Sequence, residues 1–244
     1  MRYILIFILL VSTLFAETKK ENLTIGLGLY MQSQPYKNVD AIILPSPVVF
    51  YDNDIFYIRW SRLGLYFLGD KKENYAWGFS LTAQPRTYGY DDIYGMENKK
   101  STWEGGLAFS FKYDKAYIET MLLNDLLNTY KSWIYKTEIG YDFKVGEVSF
   151  YPSFIAVYQS SDFLNYYYGV NESESIKSGK NIYTPNSGLD VALQTYIKYP
   201  LTKNLSTLIN IRADKLSNQA YNSPLVDQHY IYSGLASLIY SFNL

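Results

Sequence analysis

Cysteine is absent from the 244-residue sequence, and histidine occurs once, as His229. The chain therefore has no disulfide framework, no thiolate metal site and no cysteine nucleophile, and we expect neither a metal nor another cofactor. The formal net charge of −1 lacks the basic excess that a nucleic-acid-binding surface needs, so we expect no nucleic-acid partner. With so few groups suited to catalysis, we predict a protein that is not an enzyme and has no catalytic residues.

Long apolar runs are also scarce, and the one that stands out lies at the N-terminus. Residues 1–16 combine a positive start, an apolar stretch and a small final residue, Ala16. This arrangement is typical of a secretory signal peptide, and the stretch is shorter than the roughly 20 residues of a membrane-spanning helix. We predict a signal peptide over residues 1–16 and a single exported domain over residues 17–244.

Aromatic residues are abundant, because 27 Tyr, 13 Phe and 4 Trp make up 18% of the chain. Apolar and polar residues alternate along much of the exported part, as in residues 23–31 and 230–242, which is the pattern of β-strands with two different faces. A soluble sandwich alternates as well. Here the aromatic residues gather on the apolar face near the ends of the segments, as they do in the girdles of membrane barrels. We therefore predict an all-β fold, a transmembrane antiparallel β-barrel.

The lengths of the connections predict the topology of this barrel. Short polar turns alternate with longer connections, as expected for periplasmic turns and extracellular loops. The longer connections cover residues 32–45, 89–101, 159–186 and 216–228. The predicted strands are near residues 23–31, 46–52, 54–60, 62–69, 75–88, 102–113, 116–123, 131–143, 148–158, 187–199, 204–215 and 229–243. About twelve strands place both termini on the periplasmic side, and ten is the alternative, because the second to fourth segments are short and alternate poorly.

Charged residues of both signs lie on the polar face of the predicted strands. These candidates for lining the lumen are Arg86, Glu104, Lys112, Glu119, Lys136, Glu138, Asp142, Asp190, Lys198, Arg212 and Asp214. In one interpretation their charge sets the solute preference of a pore. In the other, opposite charges pair across strands in a filled interior, since a barrel of 8–12 strands has limited free space. The mixture of signs favours the second interpretation.

The connection over residues 159–186 is the longest and contains three consecutive tyrosines, Tyr166, Tyr167 and Tyr168. They are candidates for contacts made by this loop, which either folds inward as a constriction or projects as an adhesive surface. Alternatively, the three rings anchor the loop at the outer membrane interface. The sequence does not separate these two interpretations.

Two acidic pairs lie in the long loops, Asp91 with Asp92 and Glu172 with Glu174. Paired acids occur in glycosidase sites and in calcium sites. Their position in long polar loops favours solvated surface charge instead.

The single histidine has the residue types of a hydrolytic triad near it in sequence. Ser223, Asp227 and Ser233 flank His229, and such a triad needs these groups to converge in space. The predicted topology places His229 at the loop edge of the last strand, where a polar ring needs no catalytic explanation. An outer-membrane lipid-modifying enzyme is therefore the least favoured function.

Several segments resemble the MipA/OmpV family of outer-membrane proteins. The segment GLGLYMQSQPYKN, followed by LPSPVVFYDNDIFYI, has the Gly-rich first strand and the Pro-x-Pro second strand of that family. Further matches are Gly95-Met96, YYYGV at 166–170, YTPNSG at 183–188, Ser223-Pro224 and the terminal GLASLIYSF. The end departs from the usual pattern of outer-membrane proteins, because Phe242 is followed by Asn243 and Leu244 instead of being the last residue.

The resemblance implies a location and a set of functions. It implies residence in the outer membrane of a Gram-negative bacterium, in contact with outer-membrane lipid. It also implies a scaffold that links a murein hydrolase, the lytic transglycosylase, to a peptidoglycan synthase in the periplasm. A porin-like channel for small solutes and a surface adhesin are the alternatives that the family leaves open.

Overall fold

A computed structural model describes residues 22–87, 89–90 and 93–243 of the chain. The predicted signal peptide, the Asp91-Asp92 pair and Leu244 lie outside the described residues. The strands are Asn22–Gln32 (β1), Ile42–Asp52 (β2), Phe56–Arg59 (β3), Arg62–Lys71 (β4), Tyr75–Arg86 (β5), Thr102–Tyr113 (β6), Ala116–Asp125 (β7), Trp133–Tyr141 (β8), Phe143–Val145 (β9), Val148–Gln159 (β10), Gly188–Pro200 (β11), Leu205–Lys215 (β12) and Tyr230–Asn243 (β13). Three short helices lie in the connections: Ser161–Tyr168 (α1), Glu172–Ser178 (α2) and Asn218–Tyr221 (α3).

The strands form one closed antiparallel barrel. Apart from β8 and β9, strands that follow one another in the chain pair with each other, and β13 pairs with β1, with Leu23 opposite Phe242. Both β8 and β9 pair with β10, so they form one position in the wall, interrupted at Asp142. The wall therefore has twelve positions, which confirms the predicted twelve strands over the alternative of ten. Closure gives the backbone hydrogen-bonding groups partners within the wall, except along the upper edges of β2 and β5, which pair on one side only.

No helix among the described residues is long and apolar enough to cross a membrane.

The two faces of the wall differ in chemistry as the alternation predicts. Along β13, Tyr232 and Leu238 are exposed on the outer face, whereas Leu235 and Ile239 are buried on the inner face. Aromatic rings are exposed on the outer face near strand ends, and examples are Trp103, Trp133, Tyr141, Phe143 and Tyr158. The outside of the barrel thus has the apolar surface and the aromatic girdles of a protein in contact with lipid.

The wall is low at one point, where the sequence predicted strands over residues 46–52 and 54–60. β2 begins earlier than predicted, at Ile42, and β3 has only four residues. β3 ends because Trp60 adopts a positive φ of 56°, which is unfavourable for a bulky residue, and turns the chain into β4. β2 therefore rises well above its neighbour β3 on the extracellular side.

The loops at the extracellular end contain helices that the sequence analysis did not predict. Both helices of residues 160–187 have N-terminal caps: Ser160 Oγ accepts from the Phe163 N–H, and Asn171 forms a reciprocal capping box with Glu174. Residues of α1 pack into the mouth of the barrel, where they join side chains from the inner face of the wall in one apolar cluster.

Candidate functional site: the barrel interior

The interior of the barrel contains a cavity of about 1280 Å³. All eleven charged residues that the sequence analysis assigned to the inner face, from Arg86 to Asp214, are among those that line it. They come from six different strands and from the interruption between β8 and β9, and period-two alternation turns those on the strands toward the same space. Their use in selecting a solute stays a prediction.

Opposite charges pair closely along this lining. In the upper part, Glu104 is fully buried (0% exposed) and accepts hydrogen bonds from the side chains of Arg86, Gln84 (3.0 Å) and Tyr130 (3.1 Å). Arg212 pairs with Asp214 two residues further along β12. Because these carboxylates and guanidinium groups neutralise one another, no one sign of charge dominates this part of the wall.

Two arginines that the sequence analysis missed hold the low part of the wall to the opposite side. Arg59, at the end of β3, lies 2.9 Å from Glu119 on β7, and Arg62, at the start of β4, lies 2.5 Å from the same carboxylate. Glu119 is only 5% exposed. The turn between β3 and β4 is thus tied across the lumen by a buried carboxylate shared by two cations. Alternation in the short segment from Phe56 to Arg59 is the sequence signal that could have placed Arg59 inside.

At the periplasmic end the ion pairs are more exposed. Asp52 contacts both Arg59 (2.7 Å) and Lys71 (3.0 Å), and Lys112 contacts Asp142 (2.9 Å). Pairs that water reaches contribute little to stability, typically about 0–1 kcal/mol. The interior therefore has a buried, tightly paired upper part and a wetter lower rim.

The three loop tyrosines lie in the mouth of the barrel. Tyr167 and Tyr168 are buried, and the Tyr167 hydroxyl donates to the carbonyl oxygen of Lys100 at 3.2 Å. The Tyr166 hydroxyl accepts from the backbone N–H of Lys100 at 3.0 Å. Anchoring at the lipid interface is therefore wrong for Tyr167 and Tyr168, since neither ring reaches the surface. The loop folds inward against the apolar cluster at the mouth, and its action as a constriction stays a prediction.

Aromatic rings from several loops meet around α1 and form a cap over the interior. Tyr36 packs against Tyr90, with ring centroids 4.6 Å apart, and Tyr130 packs against Phe163 at 4.9 Å. The Arg86 guanidinium lies 4.7 Å from the centre of the Phe163 ring. Burial raises the pKa of Tyr130 above its ordinary value, and the negative charge of Glu104 raises it further. The aromatic cap is thus built for neutral tyrosines.

Glu174 is buried, so the interpretation of this residue as solvated loop charge is wrong. Its carboxylate accepts from the backbone N–H groups of Asn171 (3.0 Å) and Glu97 (3.1 Å), and Lys99 Nζ lies 3.5 Å away. It joins two loops that are far apart in sequence. The Asn-x-x-Glu spacing of a capping box was the signal that could have identified it.

His229 stacks on Tyr221, with ring centroids 4.2 Å apart, and its Nε2 lies 3.2 Å from the carbonyl oxygen of Leu216. Ser223 donates its hydroxyl to the carbonyl oxygen of Tyr168 instead of to the histidine. These contacts give His229 and Ser223 structural partners within the loops. In the described part of the chain, no group of three or more His, Asp or Glu residues is arranged to hold a metal ion.

A closed antiparallel barrel with an apolar, aromatic exterior and a charged interior defines a transmembrane β-barrel protein. The family model described as MltA-interacting protein MipA matches residues 25–242. The chain belongs to this family, which confirms the MipA/OmpV resemblance.

Relatives named as outer-membrane proteins cover most of the chain. The MltA-interacting protein of Escherichia coli (strain K12) is 27% identical over 88% of this chain and 87% of its own length. The putative outer membrane protein YiaT of the same organism is 24% identical over 93% of this chain and 94% of its own length. Outer membrane protein OmpV of Vibrio cholerae is 26% identical over 79% of this chain and 76% of its own length. The protein is an outer-membrane protein, as predicted.

Among solved structures, an outer membrane channel from Pseudomonas putida F1 superposes with a TM-score of 0.44 at 12% identity, covering 93% of this chain and 97% of that one. OprB of Pseudomonas putida superposes with a TM-score of 0.43 at 9% identity, covering 82% of this chain and 59% of that one.

Proposed function

We propose that this protein is an outer-membrane scaffold that binds a murein-remodelling enzyme, a lytic transglycosylase, at its periplasmic rim and brings it to a peptidoglycan synthase. The observation that carries the proposal is the family match over residues 25–242. It is joined by a relative that aligns over most of both chains and is named for an interaction with MltA. The relatives are named as outer-membrane or interacting proteins, and the proposed role needs no catalysis by this chain.

The rim on the periplasmic side offers a surface that is already ordered. Its turns are short, and two of them are fixed by residues with positive φ, Asp114 (51°) and Gly146 (57°). Exposed lysines project from three turns, Lys72, Lys115 and Lys203. A rigid surface loses little conformational entropy on binding, which favours a stable contact with a folded partner.

The test is binding of a purified lytic transglycosylase to the full-length protein reconstituted in lipid vesicles. We expect saturable binding, and we expect Lys72→Glu with Lys115→Glu to weaken it, because charge at an interface rim steers association. The matched control is Lys177→Glu, an exposed lysine of α2 at the extracellular end. Absence of binding by the unsubstituted protein contradicts the proposal, and so does equal weakening by the control.

A second candidate function is passage of small solutes, which the cavity of about 1280 Å³ favours. Planar-bilayer recording of the refolded protein tests it, and complete absence of conductance contradicts it. The adhesin alternative has less support, since Tyr167 and Tyr168 are buried and offer no contact area to a partner.

A further inference from the structure

The barrel wall has a gap on its extracellular half between β2 and β5. In the described part of the chain, residues 42–48 of β2 pair with β1 alone, and residues 84–86 of β5 pair with β6 alone. The two strands that belong between them stop lower down, at the turn formed by Trp60 and Ser61. Because two strands are missing here, facing positions on β2 and β5 are separated by at most three strand spacings of about 4.8 Å. At the top of the gap the Gln32 side chain of β1 donates to the carbonyl oxygen of Thr87, just after β5, at 3.5 Å.

Prolines occupy the β2 edge of this gap. The carbonyl oxygen of Val49 accepts from the Trp60 N–H at 2.8 Å, so the backbone groups of Val49 point toward β3. Backbone direction alternates along a strand, which turns the backbone positions of Pro47 and Pro45 to the same side. Proline has no N–H to leave unpaired there.

The opposite edge repeats the arrangement. The Tyr66 N–H donates to the carbonyl oxygen of Ile55, so the backbone N–H of Tyr66 points from β4 toward β3. Leu63 is an odd number of residues from Tyr66, so its backbone groups point the other way, toward β5, where Leu63 pairs with Ala83. Two residues beyond Ala83 lies Pro85, whose backbone nitrogen therefore also points into the gap. With prolines on both edges, the gap does not accept an added β-strand, which would need those donors.

The gap is bordered by apolar side chains and leads to the cavity. Leu44 lies on the inner face of β2, opposite Tyr30, and is still 38% exposed. At the base of the gap, the Trp60 ring is held by a hydrogen bond from its indole N–H to Ser46 Oγ (2.9 Å) and by contact with the Tyr30 ring. Leu44, the three prolines and Trp60 are among the residues that line the cavity.

The gap opens toward lipid on the outside and toward charge on the inside. The outward residues at this level, Leu29, Met31 and Ile43, are apolar and exposed, which is the chemistry of a surface in hydrocarbon. On the inner side, Arg59 and Arg62 flank the turn at the base of the gap and meet Glu119. An apolar entrance beside a charged interior fits a molecule with an apolar chain and a polar head.

We propose that this gap is a lateral port between the interior cavity and the outer leaflet of the membrane, and that it admits an amphiphile with an apolar chain. The apolar chain enters between β2 and β5 against Leu44 and the three prolines. The polar head lies in the cavity. This role is independent of an enzyme bound at the periplasmic rim.

The absence of cysteine allows the port to be tested with single labelled residues in the full chain. Leu44→Cys is labelled with a small fluorophore, and the protein is reconstituted in vesicles of phospholipid brominated on its acyl chains. Two controls lie on β11, which is paired on both sides: Leu193→Cys on the outer face and Gln194→Cys facing the cavity. We expect bromine to quench the label at Leu44 nearly as strongly as at Leu193, and several-fold more than at Gln194.

Quenching at Leu44 as weak as at Gln194 overturns the proposal, because the wall is then closed to lipid at this level. Migration before and after heating shows whether each variant is folded. Ser61→Cys, in the turn at the base of the gap, provides the same measurement where Leu44→Cys does not fold. Access to the cavity is measured by adding a brominated fatty acid to the Gln194→Cys protein in unbrominated vesicles. We expect quenching that Leu44→Trp slows, and equal quenching in both proteins contradicts entry through the port.

Discussion

The two sides of the barrel interior are held together by different kinds of contact. On the side of β6 to β11 the wall is complete, and helix α1 fills the mouth with Phe163, Leu164 and Tyr167, all fully buried. On the side of β2 to β5 the wall is low, and its shortest strand is tied across the lumen by Arg59 and its neighbour Arg62. Apolar packing therefore holds the first side, and a buried ion cluster holds the second.

This difference shows where each kind of interaction suffices. A helix in the mouth has neighbours on several strands, so close packing fixes its position. The β3–β4 hairpin lacks neighbours above its turn, so directional contacts to Glu119 and Ser46 hold it instead. We therefore expect each side to lose its structure separately when its own contacts are removed.

The largest effect is expected from Glu119→Gln. The substitution leaves Arg62 without its carboxylate partner and leaves Arg59 with Asp52 alone, and removing the buried partner of an ion pair costs about 3–5 kcal/mol. We expect the free energy of unfolding in urea to fall by that amount while α1 keeps its protection from protease. The matched control is Asp142→Asn. It removes the carboxylate partner of Lys112, in an ion pair that is more exposed than Glu119, and it should cost about 0–1 kcal/mol. Equal losses in the two variants would contradict the special position of Glu119.

The next largest effect is expected from Leu164→Ala, on the other side of the interior. Leu164 is fully buried in α1, and truncating such a side chain costs about 2–5 kcal/mol. We expect the loss to be confined to the aromatic cap, because the strand pairing of the wall does not pass through it. Limited proteolysis should cut residues 160–187 faster, whereas migration of the unheated barrel should not change. Asp162→Ala, at an exposed position of the same helix, is the control. Loss of the barrel's heat-dependent migration would show that the two sides are not separable.

Much of the wall could be predicted from the sequence, and the low point could not. Alternation identifies a strand wherever one face meets lipid and the other the lumen, so β1, β6 and β13 lie close to their predicted bounds. The height of β3 depends on the positive φ of Trp60, which is held by tertiary contacts to Ser46 and Tyr30. No local pattern specifies those contacts.

The capped helices in the loops also show which features the sequence could predict and which it could not. The Asn171 and Glu174 spacing was available in the sequence and indicates a helix start. The burial of Tyr167 and Tyr168 was not available, since it results from the meeting of loops that are distant in the chain. A local signal could therefore have predicted the start of α2, and only the closed barrel explains why the loop folds inward.

A smaller effect is expected from replacing both prolines of the β2 edge, in Pro45→Thr with Pro47→Thr. The substitution introduces two N–H donors at an exposed edge without a partner strand, and an unpaired donor costs at most about 1–3 kcal/mol. We expect lower stability together with dimers formed by pairing of these edges, detected by cross-linking in vesicles. Ile43→Thr is the control, because it places the same side chain on the same edge and changes no donor. A monomer of unchanged stability would mean that the edge is already paired.

The smallest effect is expected from pH, and it should separate the cap from the wall. Burial raises the pKa values of Tyr90, Tyr130 and Tyr167, and the charges of Glu174 and Glu104 add to the effect at Tyr90 and Tyr130 respectively. In the unfolded chain tyrosine loses its proton near pH 10. A tyrosine whose pKa is raised in the folded state stabilises the folded state fully below pH about 10, and this contribution is lost as the pH rises toward the folded-state pKa.

We expect hydrogen exchange in residues 160–187 to accelerate above pH about 10, beyond the ordinary base-catalysed increase measured in the unfolded peptide of the same sequence. Exchange in β13, which lies outside the cap, should follow the unfolded reference with a constant protection factor. A protection factor that falls equally in the cap and in this strand would contradict independent stability of the two regions.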